Sequence, residues 1–396
     1  MKKKLLFVIE SLDCAGAEKS LVTLLSLLDY TRFEVDLMLF AHGEMLEKLV
    51  PEDVTILKPL SYLTFAKLNM KSAFLQSLKL KNFDYLKARL KYSWAIRKKK
   101  CGNIKKARLF WKNISSVIED SPKTYDIAIS YSQGVPTFYV AEKVKAEKKY
   151  AWVNTSYKLE DKEKIFQKNF YQVFTKIIAV SDTAKNIFLK VYPEFSPKIN
   201  VIYDINDFEL ISKMSYLGKS FEGNFSGNKI LTIGRLSEGK GYDIALEACK
   251  KLKNYGIDFK WYVLGKGPLE NQIKNYIKDN DLESHFILIG VEANPYSKIK
   301  NSDIYVQTSK FEGFGLAIAE ARMLNVPVVT TNFDSVYNQM INGKNGLVVE
   351  MNSEAVFQGI LKLIQNQSLK KEIIDYLKNE KKGNLEELDK FYQLIG

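Results

Sequence analysis

Two glutamates bracket the segment Glu312-Gly313-Phe314-Gly315-Leu316-Ala317-Ile318-Ala319-Glu320. A short apolar run over residues 304–307 leads into it like a buried strand. The two glycines then relax the backbone, and Leu316 to Leu324 reads as a helix. A glycine turn between strand and helix aims the unpaired N–H groups of the first helical turn at whatever anion lies in front of it. Glu312 stands on the loop just ahead of the glycines, and Glu320 sits about a turn and a half further on, so both can face one crevice. Anion-binding amides beside hydroxyl-accepting carboxylates suit a ligand that joins phosphate to polyols, and a nucleotide sugar is such a ligand. The same spacing equally fits two carboxylates on a solvated helix beside ordinary turn glycines. A general acid–base couple is the weaker reading, because nothing in the sequence would push the two pKa values apart.

Complementary chemistry lies upstream, in Ile230-Leu-Thr-Ile-Gly234-Arg235-Leu-Ser-Glu-Gly-Lys240-Gly241. A strand ends at Gly234, Arg235 follows at once, and Lys240-Gly241 opens the next helix. Ligands of open α/β sheets bind beyond the carboxyl ends of the strands. Across the Ser-Glu-Gly loop, Arg235 and Lys240 can reach one pyrophosphate, arginine as a planar fork and lysine as a point charge. Taken alone, they are equally two solvated cations in a surface loop.

Such residues need strands to carry them. Apolar runs that read as strands are Leu5–Ile9, Glu34–Phe40, Val54–Leu57, Asp126–Ser130, Tyr150–Asn154, Ile177–Ser181 and Ile199–Ile202, then Lys229–Ile233, Lys260–Leu264, Phe286–Ile289, Ile304–Gln307, Val326–Thr330 and Gly346–Val349. Helical patterns such as Ala17–Leu28 and Thr183–Val191 fall between them. Continuous apolar strands alternating with helices predict parallel sheets covered on both faces. A chain of 396 residues exceeds one comfortable core. The reading is therefore α/β with two doubly wound, Rossmann-like domains: residues 1–205, residues 206–380, and a C-terminal helix over 381–396 packing back on the first. The Gly-, Asn- and Ser-rich stretch Gly218–Asn228 is the expected linker.

The formal charge of +13 is local. Lys67 to Lys112 holds fifteen Lys and Arg against Asp84 alone, a net +14, which leaves −1 for the rest of the chain. This stretch lies in a predicted helical insertion over about residues 61–116, with Tyr85, Leu86, Leu90, Tyr92, Trp94, Ile96, Phe110 and Trp111 among its cations. It reads either as a solvated helical insertion or as an anionic-membrane interface, where aromatic rings sit among headgroups and each basic residue adds roughly 1 kcal/mol. Nucleic acid is the weaker alternative and is not the expected partner, since no nucleic-acid-binding motif accompanies the charge. No apolar run reaches the length of a membrane span, and Leu5–Ile9 is too short for a signal sequence. Cys14, Cys101 and Cys249 lack metal-ligand spacing and fit a reducing cytosol. With only His42 and His285 besides, no metal site is expected.

In combination the motifs resemble glycosyltransferase family 4, the retaining nucleotide-sugar transferases of GT-B architecture. Gly-Arg-Leu followed by Lys-Gly, Gly265-Lys-Gly-Pro268, Ser309-Lys-Phe-Glu-Gly-Phe-Gly, Glu320-Ala, Pro327-Val-Val and Asn345-Gly346-Leu occur in that family's order, preceded by Val180-Ser181-Asp182 and Val201-Ile-Tyr-Asp-Ile-Asn. The resemblance covers residues 177 to about 365 well and the N-terminal half loosely. It implies two domains facing across a cleft, and a metal-independent, cofactor-free transfer of a sugar, a UDP-sugar favoured, to a saccharide acceptor. Arg235 and Lys240 would hold the donor diphosphate, assisted by the Gly315 and Leu316 amides beside Gly313. Glu320 would take the ribose hydroxyls and Glu312 the donor sugar. Gly290, Val291 and the backbone at Gly234 would complete the donor side, with Val291 near the base. Gly16 and Asn154 would come from the first domain. Two departures matter: Ala15 replaces one glycine of the family's first loop, and Asn154 stands where many members carry histidine. A strand-end cap is the other reading of Asn154. The basic insertion implies a lipid-linked acceptor, as in capsule, exopolysaccharide or other envelope-glycan synthesis, and a cytoplasmic protein peripheral to the inner face of the membrane. A catalytically silent subunit or glycan-binding protein remains the alternative.

Overall fold

The computed structural model describes residues 2–13, 16–97, 102–154 and 159–396. Cys14, Ala15, Cys101, Thr155 and the Lys98–Lys100 part of the basic run lie outside the described residues.

Among the described residues thirteen strands form two sheets, and every expected strand is present. The first sheet comprises β1 (Lys3–Ile9), β2 (Phe33–Leu39), β3 (Val54–Ile56), β4 (Thr124–Ser130), β5 (Lys145–Val153), β6 (Lys176–Ala179) and β7 (Ile199–Val201), in the order β3-β2-β1-β4-β5-β6-β7. The second comprises β8 (Asn228–Ile233), β9 (Phe259–Leu264), β10 (Phe286–Leu288), β11 (Ile304–Gln307), β12 (Val328–Thr331) and β13 (Gly346–Val349), in the order β10-β9-β8-β11-β12-β13. All pairings are parallel. Leu5 to Ile9 and Ile304 to Gln307 are buried throughout, as strands covered by helices on both faces must be. Only β5 begins much earlier than its apolar run: Lys145 to Lys149 is polar and largely open to solvent, yet its backbone continues the ladder with β4, Thr124 opposite Lys145.

Each sheet reverses its winding direction once, between β1 and β4 and between β8 and β11. Loops leaving the carboxyl ends of such strands diverge and open a crevice. The order alone therefore sets Arg235, after β8, beside Glu312, after β11. In the first domain it sets the Glu10–Asp13 segment, after β1, at the corresponding crevice.

The C-terminal helix Glu386–Ile395 crosses back onto the first sheet. Phe391 stacks on Phe7 and leans on Trp152, the Tyr392 hydroxyl accepts from Asp29 N at 2.9 Å, and Tyr150 donates to Leu394 O at 3.0 Å.

Between β3 and β4 stand helices Ser61–Ala66, Met70–Lys79, Asp84–Arg97 and Asn103–Ile114. Here the expected membrane face needs correction. Trp111 is 2% exposed and donates to Glu142 Oε2 at 2.9 Å; Leu86 is buried, and Tyr85 and Phe110 pack against the core. Their spacing served helix packing. Leu90 and Trp94 do face solvent, Trp94 at 63%. An exposed apolar group lies elsewhere, on helix Met70–Lys79 and just after it, where Met70, Phe74, Leu75, Leu78 and Leu80 are all exposed, Leu75 at 64%.

Candidate functional site

The floor of the second-domain crevice is glycine because backbones touch there. A Cβ on Gly265 would stand 2.0 Å from the Gly234 carbonyl oxygen, and Gly265 N donates to Gly290 O at 2.6 Å. Gly290 itself has φ +77, a region that favours glycine. The Lys240-Gly241 pair has a similar cause. Gly241 adopts φ +65, and a Cβ on it would lie 1.9 Å from the Thr308 carbonyl oxygen. Thr308 Oγ1 in turn donates to Lys240 O at 3.0 Å. Lys240 is thus pinned beside the end of β11.

There it meets Glu312. Lys240 Nζ donates to Glu312 Oε1 at 2.5 Å, Ser309 Oγ donates to the same oxygen at 2.6 Å, and Gln307 Nε2 at 3.2 Å. Tyr305, in β11, orients Gln307 by donating to its Oε1 at 2.5 Å. Gln307 and Ser309 are buried, so Glu312 is held by a solvent-shielded ladder running out of the strand.

Glu320 lies on helix Leu316–Met323, which Gly315 opens at φ +90. Its side chain is 4% exposed. The partner is unexpected: Lys19, on the first-domain helix Gly16–Ser26, approaches its two oxygens at 3.2 and 3.3 Å. Tyr296 donates to Oε1 at 3.2 Å. Burial, with the nearby Glu320 carboxylate, pushes the Tyr296 phenol well above its ordinary pKa, so it remains a donor.

The domains also touch at Gly313, where a Cβ would stand 1.9 Å from the Asn154 carbonyl oxygen. Ser181 Oγ caps the helix Asp182–Val191 by accepting from Ala184 N at 3.0 Å and donates across the interface to Gly313 O at 2.8 Å. Gly313 is therefore a domain-contact glycine. Gly16 is less constrained, since a Cβ there would meet Leu316 Cδ1 at an ordinary 3.7 Å. The Asn154 side-chain amide caps nothing among the described residues: both its polar atoms are buried with no hydrogen-bond partner there. Such atoms are costly unless something polar meets them.

Between the domains lies a cavity of about 560 Å³, with Gly234, Arg235 and Val291 on one wall and Glu10 and Glu18 on the other. Loss of solvent inside the cleft pushes the Glu18 carboxyl up to about 7 and raises that of Glu10, and Arg235 opposes both shifts. Lys266 bridges the cleft to Asp13 at 3.2 Å and Glu44 at 3.6 Å. Glu320, Leu316 and Lys19 line a small adjoining hollow. Lys240 and Glu312, joined to one another, are not part of the cavity lining. Arg235 thus lines the cavity, whereas Lys240, expected to face the same anion, is turned toward Glu312. Among the described residues no three His, Cys, Asp or Glu side chains group closely enough to hold a metal ion.

Lys19, Tyr296 and Ser309 were not anticipated as site residues. Lys19 has a sequence signal, standing three positions after Gly16 and so on the same helical face.

Residues 220–380 match the model of the family "Glycosyl transferases group 1". The match lies within the C-terminal half of the chain. Over 195 residues the chain is 29% identical to the N-acetylgalactosamine-N,N'-diacetylbacillosaminyl-diphospho-undecaprenol 4-alpha-N-acetylgalactosaminyltransferase of Campylobacter jejuni, covering 49% of this chain and 50% of that one. Over 146 residues it is 31% identical to a capsular polysaccharide biosynthesis glycosyltransferase of Staphylococcus aureus, covering 36% and 38%. The chain thus matches about half, or less, of these relatives' lengths. The whole fold is shared more widely. HepE of Anabaena, solved with UDP and glucose, superposes with a TM-score of 0.72 at 17% identity over 99% of both chains. TarM superposes with a TM-score of 0.66 at 15% identity over 100% and 99%. The architecture is GT-B: two doubly wound domains facing across a cleft.

Proposed function

We propose that this chain is a group 1 glycosyltransferase that moves a sugar from a nucleotide-sugar donor to a saccharide acceptor in capsule, exopolysaccharide or other envelope-glycan synthesis. The observation that carries the reading is the interdomain cavity, with Arg235 at a strand-end switch point and the carboxylates Glu312 and Glu320 each held in place beside it. The donor diphosphate lies against Arg235, the Leu316-side helix amides and Lys240 once Lys240 turns from Glu312. The ribose hydroxyls donate to Glu320 after displacing Lys19. Preorganised cations and amides of this kind stabilise the charge that develops on a departing nucleotide, so the residues present suffice without a metal. Ser309 and Gln307, which still donate to one oxygen of Glu312 after Lys240 has turned away, make it a weaker nucleophile, which favours retention by attack on the face that the nucleotide leaves over a double displacement. The Asn154 amide, poised at the domain contact, meets the donor sugar or the acceptor. A UDP-sugar is favoured by the UDP in the HepE structure's description, and a lipid-linked acceptor by the diphospho-undecaprenol in the Campylobacter relative's name. No helix of the described residues is long and apolar enough to cross a membrane. The exposed apolar patch over residues 70–80, flanked by Lys71, Lys79 and Lys81, is the surface that meets anionic lipid at the inner face of the membrane.

The test is a thermal-shift series with UDP-, GDP- and ADP-sugars, since a ligand of the folded state raises its apparent stability. A UDP-sugar should give the largest shift and should be slowly hydrolysed. Failure of all three to shift the transition overturns the reading. A second reading, a silent partner subunit, is favoured by the pairing of Glu320 with Lys19; it predicts nucleotide binding with no donor hydrolysis.

A further inference from the structure

The helical insertion presents two working faces, and the inner one points into the cleft. Helices Asp84–Arg97 and Asn103–Ile114 bring Tyr92, Asn103, Lys106 and Phe110 to the cavity wall that adjoins Glu10 and Glu18. Tyr92 and Phe110 meet edge to face, with centroids 5.2 Å apart at 76°, and Phe110 is braced on the first-domain core. Two rings fixed in this way offer an apolar surface at low entropic cost.

The neighbouring carboxylates divide into two kinds. Asp13 and Glu44 are engaged by Lys266 across the cleft, whereas among the described residues the favourable charge acting on Glu10 and Glu18 comes from Arg235. A wall with two such carboxyl groups beside apolar rings offers acceptors to hydroxyl donors. We propose that this wall is a saccharide subsite: the C–H face of a neutral sugar ring rests on Tyr92 and Phe110 while its hydroxyls donate to Glu10 and Glu18, with Lys106 and Asn103 at the rim. The proposal rests on the glycosyltransferase reading and names its acceptor side. It gives the insertion a role in acceptor choice separate from the outward apolar face.

The experiment uses the full chain with UDP present, probed on an array of neutral oligosaccharides two to four residues long. The best-bound saccharide is then titrated against Tyr92→Ala, Tyr92→Phe, Glu18→Gln and Lys106→Ala. Tyr92→Ala and Glu18→Gln should weaken it at least tenfold, Lys106→Ala a few-fold, and Tyr92→Phe should recover most of the affinity because the ring, not the hydroxyl, is used. UDP affinity, which reports on the second domain, is measured in parallel. If Tyr92→Ala also loses UDP, its packing has failed and Glu18→Gln, on another element, decides. Variants that bind the saccharide as the wild type does overturn the subsite. So does a wild type that binds UDP but no neutral saccharide, an outcome that leaves the donor reading intact; a chain that binds no UDP overturns that reading instead.

Discussion

Replacing Lys19 with methionine separates the structural pairing of Glu320 from its proposed work on the ribose. The two side chains are 16% and 4% exposed and 3.2 Å apart. Removing one partner of a buried pair costs about 3–5 kcal/mol, because the other charge is left uncompensated. Here Tyr296 still donates to Glu320 and the residual exposure at Lys19 admits water, so the loss lies at the lower end, about 3 kcal/mol. Lys19→Met should therefore melt at a lower temperature than the wild type. Nucleotide binding should move the other way. In the wild type the ribose hydroxyls must first displace the lysine; in the variant they meet a carboxylate short of donors. If half of the pairing energy is returned on binding, the gain is about 1.4 kcal/mol, or a tenfold lower Kd for UDP. Isothermal titration calorimetry gives the Kd, and thermal shift at one UDP concentration gives the matching larger stabilisation. An unchanged or weaker UDP affinity refutes the argument: either Glu320 does not receive the ribose, or Lys19 is itself a phosphate ligand.

The remaining predictions concern charge, surface and pH. Arg235→Ala, Lys240→Ala and Glu312→Gln should each lower turnover about a hundredfold, the scale of one preorganised donor group, as measured by donor hydrolysis; near-native turnover in all three would falsify the diphosphate-sugar cradle. Leu75→Glu with Leu78→Glu should abolish sedimentation with anionic vesicles while leaving UDP binding intact, and wild-type sedimentation should fall with added salt; wild-type binding to neutral vesicles as strong as to anionic ones counts against the proposed surface. Asp204 is buried, accepts from Ser20 at 2.6 Å, and has its carboxyl pushed up to about 7 by desolvation. The folded chain thus keeps a proton that the unfolded chain gives up near 3.8, so this group's stabilising contribution is complete below that pH and is lost as pH rises through about 7. Asp204→Asn should gain in melting temperature relative to the wild type across that interval, and a difference independent of pH would contradict the assignment. Gly313→Ala, with its Cβ forced to 1.9 Å from the Asn154 carbonyl, should loosen the domain contact and lower stability, whereas Gly16→Ala, with ordinary contact at 3.7 Å, should be tolerated.

What the sequence determined by itself is whatever is written in local period and local backbone demand. Buried parallel strands are continuous apolar runs, so all thirteen are legible, and β5 extends past its run only because pairing with β4 carries polar residues along. The glycines at 241, 265, 290 and 315 mark where the chain must turn or touch backbone, and the strand order then places Arg235 beside Glu312 without reference to any ligand. Even the Ser309–Glu312 bond is a local, three-residue spacing. Only the tertiary structure decided what spans the domains. Lys19 and Glu320 are 301 positions apart, and nothing in either neighbourhood points to the other. The same holds for Ser181 with Gly313 and for Lys266 with Asp13. The insertion shows the limit most clearly. Tyr92, Trp94 and Trp111 look alike in sequence, yet one lines the cleft, one faces solvent and one is buried. Side-chain fate depends on which surface a helix meets, and helix periodicity states only that a face exists, not what will cover it.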